Sequence, residues 1–168
     1  MNIYGGGSNT NLHGLKFEQD TSLKQSLINF GFSVINNFIF AGEEKIGEIY
    51  QKYDLYNLFL KKRKIDWTKI ISKKLLPDDA FFNVKTNTFY IIEKKFQNVA
   101  GSVDEKLQTC PFKLRQYKKL LEPLGLKVVY CYILNDWFKQ SSYKDVLNFI
   151  EEENCFYFFN ELPIDFLL

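Results

Sequence analysis

Two acidic side chains and a lysine fall at positions that a pair of neighbouring β-strands would bring together. The segments LLPDDAFFNV and FYIIEKKFQ are rich in strand-forming residues and flank the short segment KTNT, so they predict a β-hairpin. Side chains alternate between the two faces of a strand, which places Glu93 and Lys95 on one face and Lys94 on the other.

The turn of the hairpin decides which acid of the first strand joins Glu93. A turn centred on residues 86 and 87 pairs Asp78 with Lys95 and places Asp78 on the face of Glu93 and Lys95. The same register sends Asp79 to the opposite face. A one-residue bulge would exchange the two acids, so Asp79 remains the alternative acid.

Asp78, Glu93 and Lys95 together suit the hydrolysis of phosphodiester bonds. Two carboxylates on neighbouring strands repel each other unless a cation lies between them, and Mg²⁺ binds through one or two carboxylates and several waters. A lysine beside them can orient the attacking water and stabilise the charge of a pentacovalent phosphate. Each residue alone is more typical of a loop or a solvated strand end, so the prediction depends on their conjunction.

A third acid, Glu18, lies on a predicted helix that runs from about Leu12 to Phe30. The apolar residues near one face of this helix are Leu15, Leu23, Leu27 and Phe30. Glu18 lies about 60° from Leu15 around the helix axis, at the flank of the apolar stripe. We expect its carboxylate to reach the same metal site from below the sheet.

The remaining elements predict a mixed α/β fold. FSVINNFIF indicates a strand, and a helix is expected from Glu43 to about Lys62. After the hairpin come a short helical turn at VDEKLQ and a helix that Thr109 caps with Pro111 in its first turn. The strand LKVVYCYIL, the helix SYKDVLNFIEEE and the strand CFYFF follow. We expect a sheet of four to five strands flanked by helices, in a single domain of residues 1–168.

Length and composition exclude several classes of protein. The chain has 168 residues, 46% of them apolar and 25% charged, which is typical of one globular domain. Its single histidine excludes paired-histidine catalysis and a histidine-rich zinc site. The Gly5–Gly7 run lacks the Gly-Lys-Ser/Thr of a P-loop, so no nucleotide cofactor is expected. Without an apolar run of roughly 18 residues, we expect no membrane partner and a cytoplasmic location.

Positive charge is concentrated in the middle of the chain. Residues 44–119 carry 17 of the 22 basic residues but only 9 of the 20 acidic ones. Such a segment is typical of a surface that binds a polyanion. Lysine-rich helix faces are also often merely solvated, so charge alone does not identify a nucleic acid partner.

The ordered set of acids and lysine resembles a known family. Pro77 and Asp78, followed by Glu93 within the sequence EKK, resemble the PD-(D/E)XK signature of restriction-endonuclease-like nucleases. GLKFE, which ends at Glu18, resembles the helical glutamate that precedes the hairpin in that family. The doubled acids and doubled lysines depart from the pattern and leave the register open by one residue.

The resemblance implies the roles of these residues and a restriction-endonuclease-like core. Asp78 and Glu93 would bind Mg²⁺, Lys95 would assist the attacking water, and Glu18 would be an accessory acid. The segments GSVDEKLQT and FKLRQYKKL further resemble type II restriction endonucleases. The residues then expected to contact DNA are Lys94, Lys106, Lys113, Gln116 and Tyr117.

The expected activity is therefore that of a type II restriction endonuclease acting on double-stranded DNA. One such site cuts one strand, so a homodimer is expected, joined through the aromatic C-terminal stretch CFYFFNELPIDFLL. A DNA-repair or junction-resolving nuclease of the same fold is an alternative. A non-catalytic DNA-binding subunit, which uses its lysines for phosphate contacts, is another.

Overall fold

The computed structural model describes residues 6–99 and 103–168. The β-strands are β1 (Ser33–Ile35), β2 (Phe38–Ala41), β3 (Glu44–Tyr50), β4 (Asp79–Asn83), β5 (Thr88–Lys95), β6 (Lys127–Leu134) and β7 (Phe156–Phe159). The α-helices are α1 (Gly6–Asp20), α2 (Leu23–Asn29), α3 (Val103–Leu107), α4 (Cys110–Leu121) and α5 (Lys144–Glu152). A π-helical segment spans Leu55–Leu60, and 3-10 turns span Trp67–Lys69, Glu122–Leu124, Asp136–Lys139, Ser141–Tyr143 and Ile164–Leu167.

The strands form one mixed sheet in the order β1-β2-β3-β4-β5-β6-β7. Each strand from β1 to β5 pairs antiparallel with the next. β6 lies parallel to β5 and β7 parallel to β6, so each of these connections carries helices across the sheet. The mixed α/β class agrees with the expectation, but among the described residues the sheet has seven strands, so the prediction of four to five is wrong.

One additional strand arises because the segment FSVINNFIF forms a hairpin. β1 and β2 pair with Ile35 opposite Phe38, so only two residues lie between the strands. Asn36 has a φ of 54°, the left-handed conformation that such tight turns require and that asparagine tolerates. Asn36 and Asn37, which favour a turn, are the sequence signal that divides this segment into two strands.

Another strand, β3, replaces the first half of the helix predicted from Glu43. Ile46 and Ile49 lie three residues apart, a spacing that imitates a helix, yet both are buried in a strand between β2 and β4. The sheet contacts decide the conformation, since short apolar patterns fit either structure. The second half of the predicted helix exists, as the π-helical segment Leu55–Leu60.

The helix predicted from about Leu12 to Phe30 is two helices. Ser22 has an extended backbone, with φ −60° and ψ 116°, and it separates α1 from α2. Leu23 and Leu27 are buried as predicted, whereas Leu15 and Phe30 are exposed. The break changes the phase of the helix, so one apolar stripe does not continue across it.

The sheet carries an apolar core on each face. On one face, Ala80, Phe82, Phe89 and Ile91 pack with buried residues of α4 and α5. On the other face, Phe81, Tyr90 and Ile92 pack with α2 and with the C-terminal residues Leu162, Ile164 and Leu167. The C-terminal stretch that was expected at a dimer interface thus contributes buried side chains to its own chain.

The predicted elements after the hairpin are all present. α4 begins after Thr109 and contains Pro111 in its first turn, but the Thr109 side chain does not cap it, because its hydroxyl donates to the Lys106 carbonyl oxygen at 2.7 Å. The strand β6, the helix α5 and the strand β7 follow at the expected positions. Within the described residues, none of the helices is long and apolar enough to cross a membrane.

Candidate active site

The turn of the β4–β5 hairpin is held by the side chain of its preceding residue. Asn83 pairs with Thr88, which leaves residues 84–87 in the turn. The Asn83 Oδ1 atom accepts hydrogen bonds from the backbone N–H groups of Lys85 and Thr86, at 2.8 and 3.0 Å. This side-chain bond moves the centre of the turn one residue earlier than the sequence predicted.

The resulting register brings Asp78 opposite Glu93 rather than opposite Lys95. Asp79, the first residue of β4, pairs with Ile92, and Asp78 directly precedes the strand, so extending the register by one position sets Asp78 opposite Glu93. The pairing differs from the predicted one by two residues, and an even shift leaves every side chain on its predicted face. Asp78, Glu93 and Lys95 therefore do share one face of the sheet.

Glu93 is bound by two lysines. The Lys95 Nζ atom lies 2.9 Å from Glu93 Oε2 and also donates a hydrogen bond to the Lys94 carbonyl oxygen at 3.1 Å. The Lys113 Nζ atom, from α4, lies 3.1 Å from the same Oε2. Glu93 is only 5% exposed, so these ion pairs are sheltered from water. Its Oε1 atom makes no hydrogen bond to a described residue.

Asp78 lies in an environment that disfavours its charge. Burial raises the pKa of its carboxyl group, and the charges of Glu93 and Glu18 raise this pKa further. Lys95 and the Lys94 N–H, which donates to Asp78 Oδ2 at 2.8 Å, act in the opposite direction without cancelling the rise. The carboxylates of this site are therefore close enough to repel each other.

Asp79 belongs to the other face of the sheet. It is fully buried, and its Oδ1 atom accepts a hydrogen bond from Gln51 Nε2 at 2.7 Å. Its Oδ2 atom lies 2.7 Å from Lys94 Nζ, which also donates to the Glu18 carbonyl oxygen at 3.2 Å. The alternative acid is thus already paired. Lys94 is 8% exposed, which disagrees with its expected contact with DNA.

α1 brings Glu18 to the rim of the site. The rings of His13 and Phe17 pack against Phe96, just beyond β5, with centroid distances of 6.4 and 5.7 Å. Glu18 and Asp78 line a common cleft of about 520 Å³. The sequence-predicted accessory acid therefore lies beside the predicted metal ligand.

The expected DNA contacts on α3 and α4 differ in accessibility. Tyr117 is fully buried, with its ring 6.4 Å from that of Tyr130, so its expected contact with DNA is not possible from this position. The apolar stripe of α4 turns this residue toward the sheet. Lys106 is exposed and Gln116 is half-buried, so both are reachable by a ligand.

The donor set of the site fits a hard divalent cation. In residues 6–99 and 103–168, no three His, Cys, Asp or Glu side chains gather closely enough to hold a metal by themselves. Asp78 and Glu93 supply two carboxylates close enough to interact through their charges, and Mg²⁺ uses one or two carboxylates alongside waters. The Tyr117 hydroxyl is buried and finds no hydrogen-bond partner among the described residues; burial raises its pKa, and the charges of Glu93 and Asp78 raise it further. Such an orphaned hydroxyl suits a site that holds ordered water.

Sequence reasoning missed two residues that support this site. Gln51 bonds Asp79, as described above, and Tyr132 pairs with Glu93 in the β5–β6 register. The Tyr132 hydroxyl donates to the carbonyl oxygens of Lys106 and Leu107, each at 3.3 Å, which ties β6 to α3. The alternating tyrosines of LKVVYCYIL were a signal for Tyr132. No comparable signal marks Gln51.

Comparison with known proteins finds a similarity to a solved structure but no match to a protein family. No protein-family model matches the chain, and no curated protein matches it. The crystal structure of MunI restriction endonuclease in complex with cognate DNA is similar to this chain at 16% sequence identity, with a TM-score of 0.41, over 70% of this chain and 74% of that chain.

Proposed function

We propose that this protein is a Mg²⁺-dependent endonuclease that hydrolyses phosphodiester bonds of double-stranded DNA. The observation that supports the proposal is the grouping of Asp78, Glu93 and Lys95 at one end of the β4–β5 hairpin, where the charges of Lys95 and Glu93 act on Asp78 and the Lys95 ammonium lies 2.9 Å from Glu93 Oε2. In this proposal Asp78 and Glu93 bind the metal ion. When bound, Mg²⁺ supplies a water of lowered pKa and polarises the phosphoryl oxygens.

Lys95 is well placed to orient the attacking water. Its ammonium group is fixed by Glu93 Oε2 and by the Lys94 carbonyl oxygen, and it lies 6.0 Å from the centre of the Tyr132 ring. These contacts hold one positive charge at the site with little freedom to move. A fixed positive charge stabilises the negative charge that develops on the phosphate in the transition state.

Glu18 has the role of an accessory acid in this proposal. Its carboxylate acts on Asp78 through charge and opens onto the same cleft. An acid at the rim of a magnesium site can accept a hydrogen bond from a metal-bound water. Glu18 therefore orients water rather than replacing Asp78 or Glu93 as a ligand.

The finer proposal is a type II restriction endonuclease of a restriction-modification system, acting in the cytoplasm as a homodimer. The site supplies one set of catalytic groups, which cuts one strand, so two copies are needed to cut both strands at one place. The excess of basic residues in 44–119 supports binding to a polyanion. A repair or junction-resolving nuclease of the same fold would use the same groups on other DNA substrates.

Cleavage of plasmid and linear duplex DNA with Mg²⁺ tests this proposal. We expect Asp78→Asn, Glu93→Gln and Lys95→Met each to lower the cleavage rate by about a hundredfold or more, since each removes charge from the reacting centre. Glu122→Gln, which changes an exposed acid at the end of α4, is the matched control and retains activity.

The cleavage products, or the absence of cleavage, distinguish a restriction enzyme from a junction-resolving enzyme and from a non-catalytic DNA-binding subunit. Fragments of defined length from linear duplex indicate a restriction enzyme, whereas preferential cutting of branched DNA indicates a junction-resolving enzyme. DNA binding without cleavage in Mg²⁺ or Mn²⁺ would instead indicate a non-catalytic DNA-binding subunit. Variants that cut as fast as the wild type would remove the proposed site.

A further inference from the structure

Lys113 is the less firmly held of the two lysines at Glu93. Its side chain comes from α4 and is 24% exposed, and its Nζ atom contacts Glu93 Oε2 at 3.1 Å. Lys95 shares that oxygen but is also tied to the backbone of its own strand. A long, partly exposed lysine chain with a single anchor can change partner at little cost.

The charges at the site explain what Lys113 does before any ligand binds. Asp78 and Glu93 bring two negative charges to the sheet face, and Lys95 and Lys113 bring two positive ones. The two positive charges offset the two negative ones, which compensates for the burial of the Glu93 carboxylate. A divalent cation added here gives the site a surplus of positive charge, which is complementary to a phosphodiester group.

We propose that Lys113 is a positioning residue that couples divalent-ion binding to DNA binding: it neutralises Glu93 in the metal-free protein and turns to a DNA phosphate when a divalent ion has taken over that role. This inference rests on the function proposed above. A divalent ion at Glu93 and the Lys113 ammonium repel each other, so each weakens the other's hold on this carboxylate. A DNA phosphate is negatively charged, as the Glu93 carboxylate is, so it can replace Glu93 as the partner of Lys113.

Coupling of this kind is reciprocal. If DNA relieves the repulsion between Lys113 and the divalent ion, DNA raises the affinity for the ion by the same factor by which the ion raises the affinity for DNA. Removing the charge of Lys113 removes the competitor in the free protein and the phosphate contact in the complex. The two affinities should therefore change in opposite directions.

The test uses Ca²⁺ as the divalent probe and the full-length chain. Calorimetry measures Ca²⁺ binding without DNA, and fluorescence anisotropy measures binding of a labelled mixed-sequence duplex in saturating Ca²⁺. For Lys113→Met we expect Ca²⁺ affinity to rise about fivefold and DNA affinity to fall about fivefold, the scale of one partly exposed ion pair. Lys113→Gln should behave in the same way, and Lys113→Arg should resemble the wild type.

Lys118→Met is the matched control, because Lys118 is an exposed lysine of the same helix. It should leave Ca²⁺ affinity unchanged. Unchanged or weaker Ca²⁺ binding by both Lys113→Met and Lys113→Gln overturns the coupling. Failure of the proposed function gives a different result, in which the wild type binds no Ca²⁺ or Asp78→Asn binds it as tightly as the wild type. Thermal unfolding of each variant shows that it is folded when measured.

Discussion

Asp78 and Asp79 are adjacent in the sequence, but their side chains lie on opposite faces of the sheet and have different surroundings. Asp79 is buried and paired with Gln51 and Lys94, so its charge is satisfied by the protein itself. Asp78 faces Glu93, and burial together with neighbouring carboxylates raises its pKa. An acid that the fold leaves in unfavourable surroundings is typical of a functional site.

The raised pKa predicts that Asp78→Asn stabilises the metal-free protein at neutral pH. A carboxyl group whose pKa is higher in the folded state than in the unfolded state costs stability above the unfolded pKa, and this cost vanishes below it. The variant should therefore unfold at higher urea concentration than the wild type at pH 7 in EDTA, and the difference should shrink toward pH 4. Equal or lower stability of the variant at pH 7 would contradict this account of Asp78.

The faces of these residues could be predicted from the sequence, but their partners could not. Strand alternation fixes Glu93 and Lys95 on one face whatever the turn does. The pairing of Asp78 with Glu93 depends on the Asn83 side chain, which shifts the turn. The burial of Tyr117 depends on how α4 lies against the sheet, and no residue spacing on α4 alone shows that.

At the scale of elements, β3 and β4 hold the acid-bearing hairpin in place. β3 pairs with β4 from Gly47 to Tyr50, and β4 leads directly from Asp78. A Cβ atom on Gly47 would lie 2.5 Å from ring atoms of Phe81 and 2.9 Å from the Phe82 carbonyl oxygen. Only glycine allows this close packing of the two strands.

Gly47→Ala is therefore expected to lower the free energy of unfolding by about 1–3 kcal/mol, the usual cost of overpacking. Urea denaturation followed by circular dichroism measures the change. Gly14→Ala is the control, because the space around Gly14 within α1 is open, and alanine there should be neutral or slightly stabilising. If both variants unfold at the wild-type urea concentration, the close packing of β3 on β4 is not as described.

The helices and strands after the β4–β5 hairpin could be predicted from the sequence, whereas β3 could not, because its conformation depends on tertiary contacts. α4, β6 and α5 combine a clear periodicity with local stop signals such as Pro111. β3 has apolar residues three apart and takes its conformation from strands on both sides of it. Local pattern decides a segment only where the tertiary contacts agree with it.

At the scale of the whole molecule, the basic residues of 44–119 have two roles. Some form ion pairs with a buried acid, and others lie exposed at the surface. Arg63 and Lys45 bind the buried Glu48 at 3.0 and 2.6 Å. Burial would raise the pKa of Glu48, but hydrogen bonds from these two groups and from Tyr50 lower it overall. Lys61 and Lys62 are exposed, with the Lys62 Nζ atom 5.2 Å from the centre of the Phe38 ring, so a polyanion can reach both ammonium groups.

Binding of duplex DNA should therefore weaken steeply as salt rises, since released counterions drive phosphate contacts. Affinity should fall roughly tenfold between 50 and 200 mM salt for every two phosphates contacted. The double substitution Lys61→Gln and Lys62→Gln should reduce this dependence, whereas Lys139→Gln, at an exposed lysine of the 3-10 turn after β6, should not. Salt-independent binding would exclude a phosphate-contacting surface.

The homodimer is tested by sedimentation of the protein with and without duplex DNA. Double-strand cleavage by one site per chain predicts a DNA complex whose mass is that of the duplex plus two 19.9 kDa chains. A complex that holds a single chain and still cuts both strands at one place would contradict the proposed assembly.

The site itself is tested most directly by anomalous diffraction from crystals grown with Mn²⁺, a probe for Mg²⁺ sites. The account predicts an anomalous peak bound by oxygens of both Asp78 and Glu93, at distances close to the roughly 2.0–2.1 Å of Mg²⁺–oxygen bonds, with Asp79 still paired to Lys94. A peak that avoids these two carboxylates, or no peak at a concentration of Mn²⁺ that supports DNA cleavage, would contradict it.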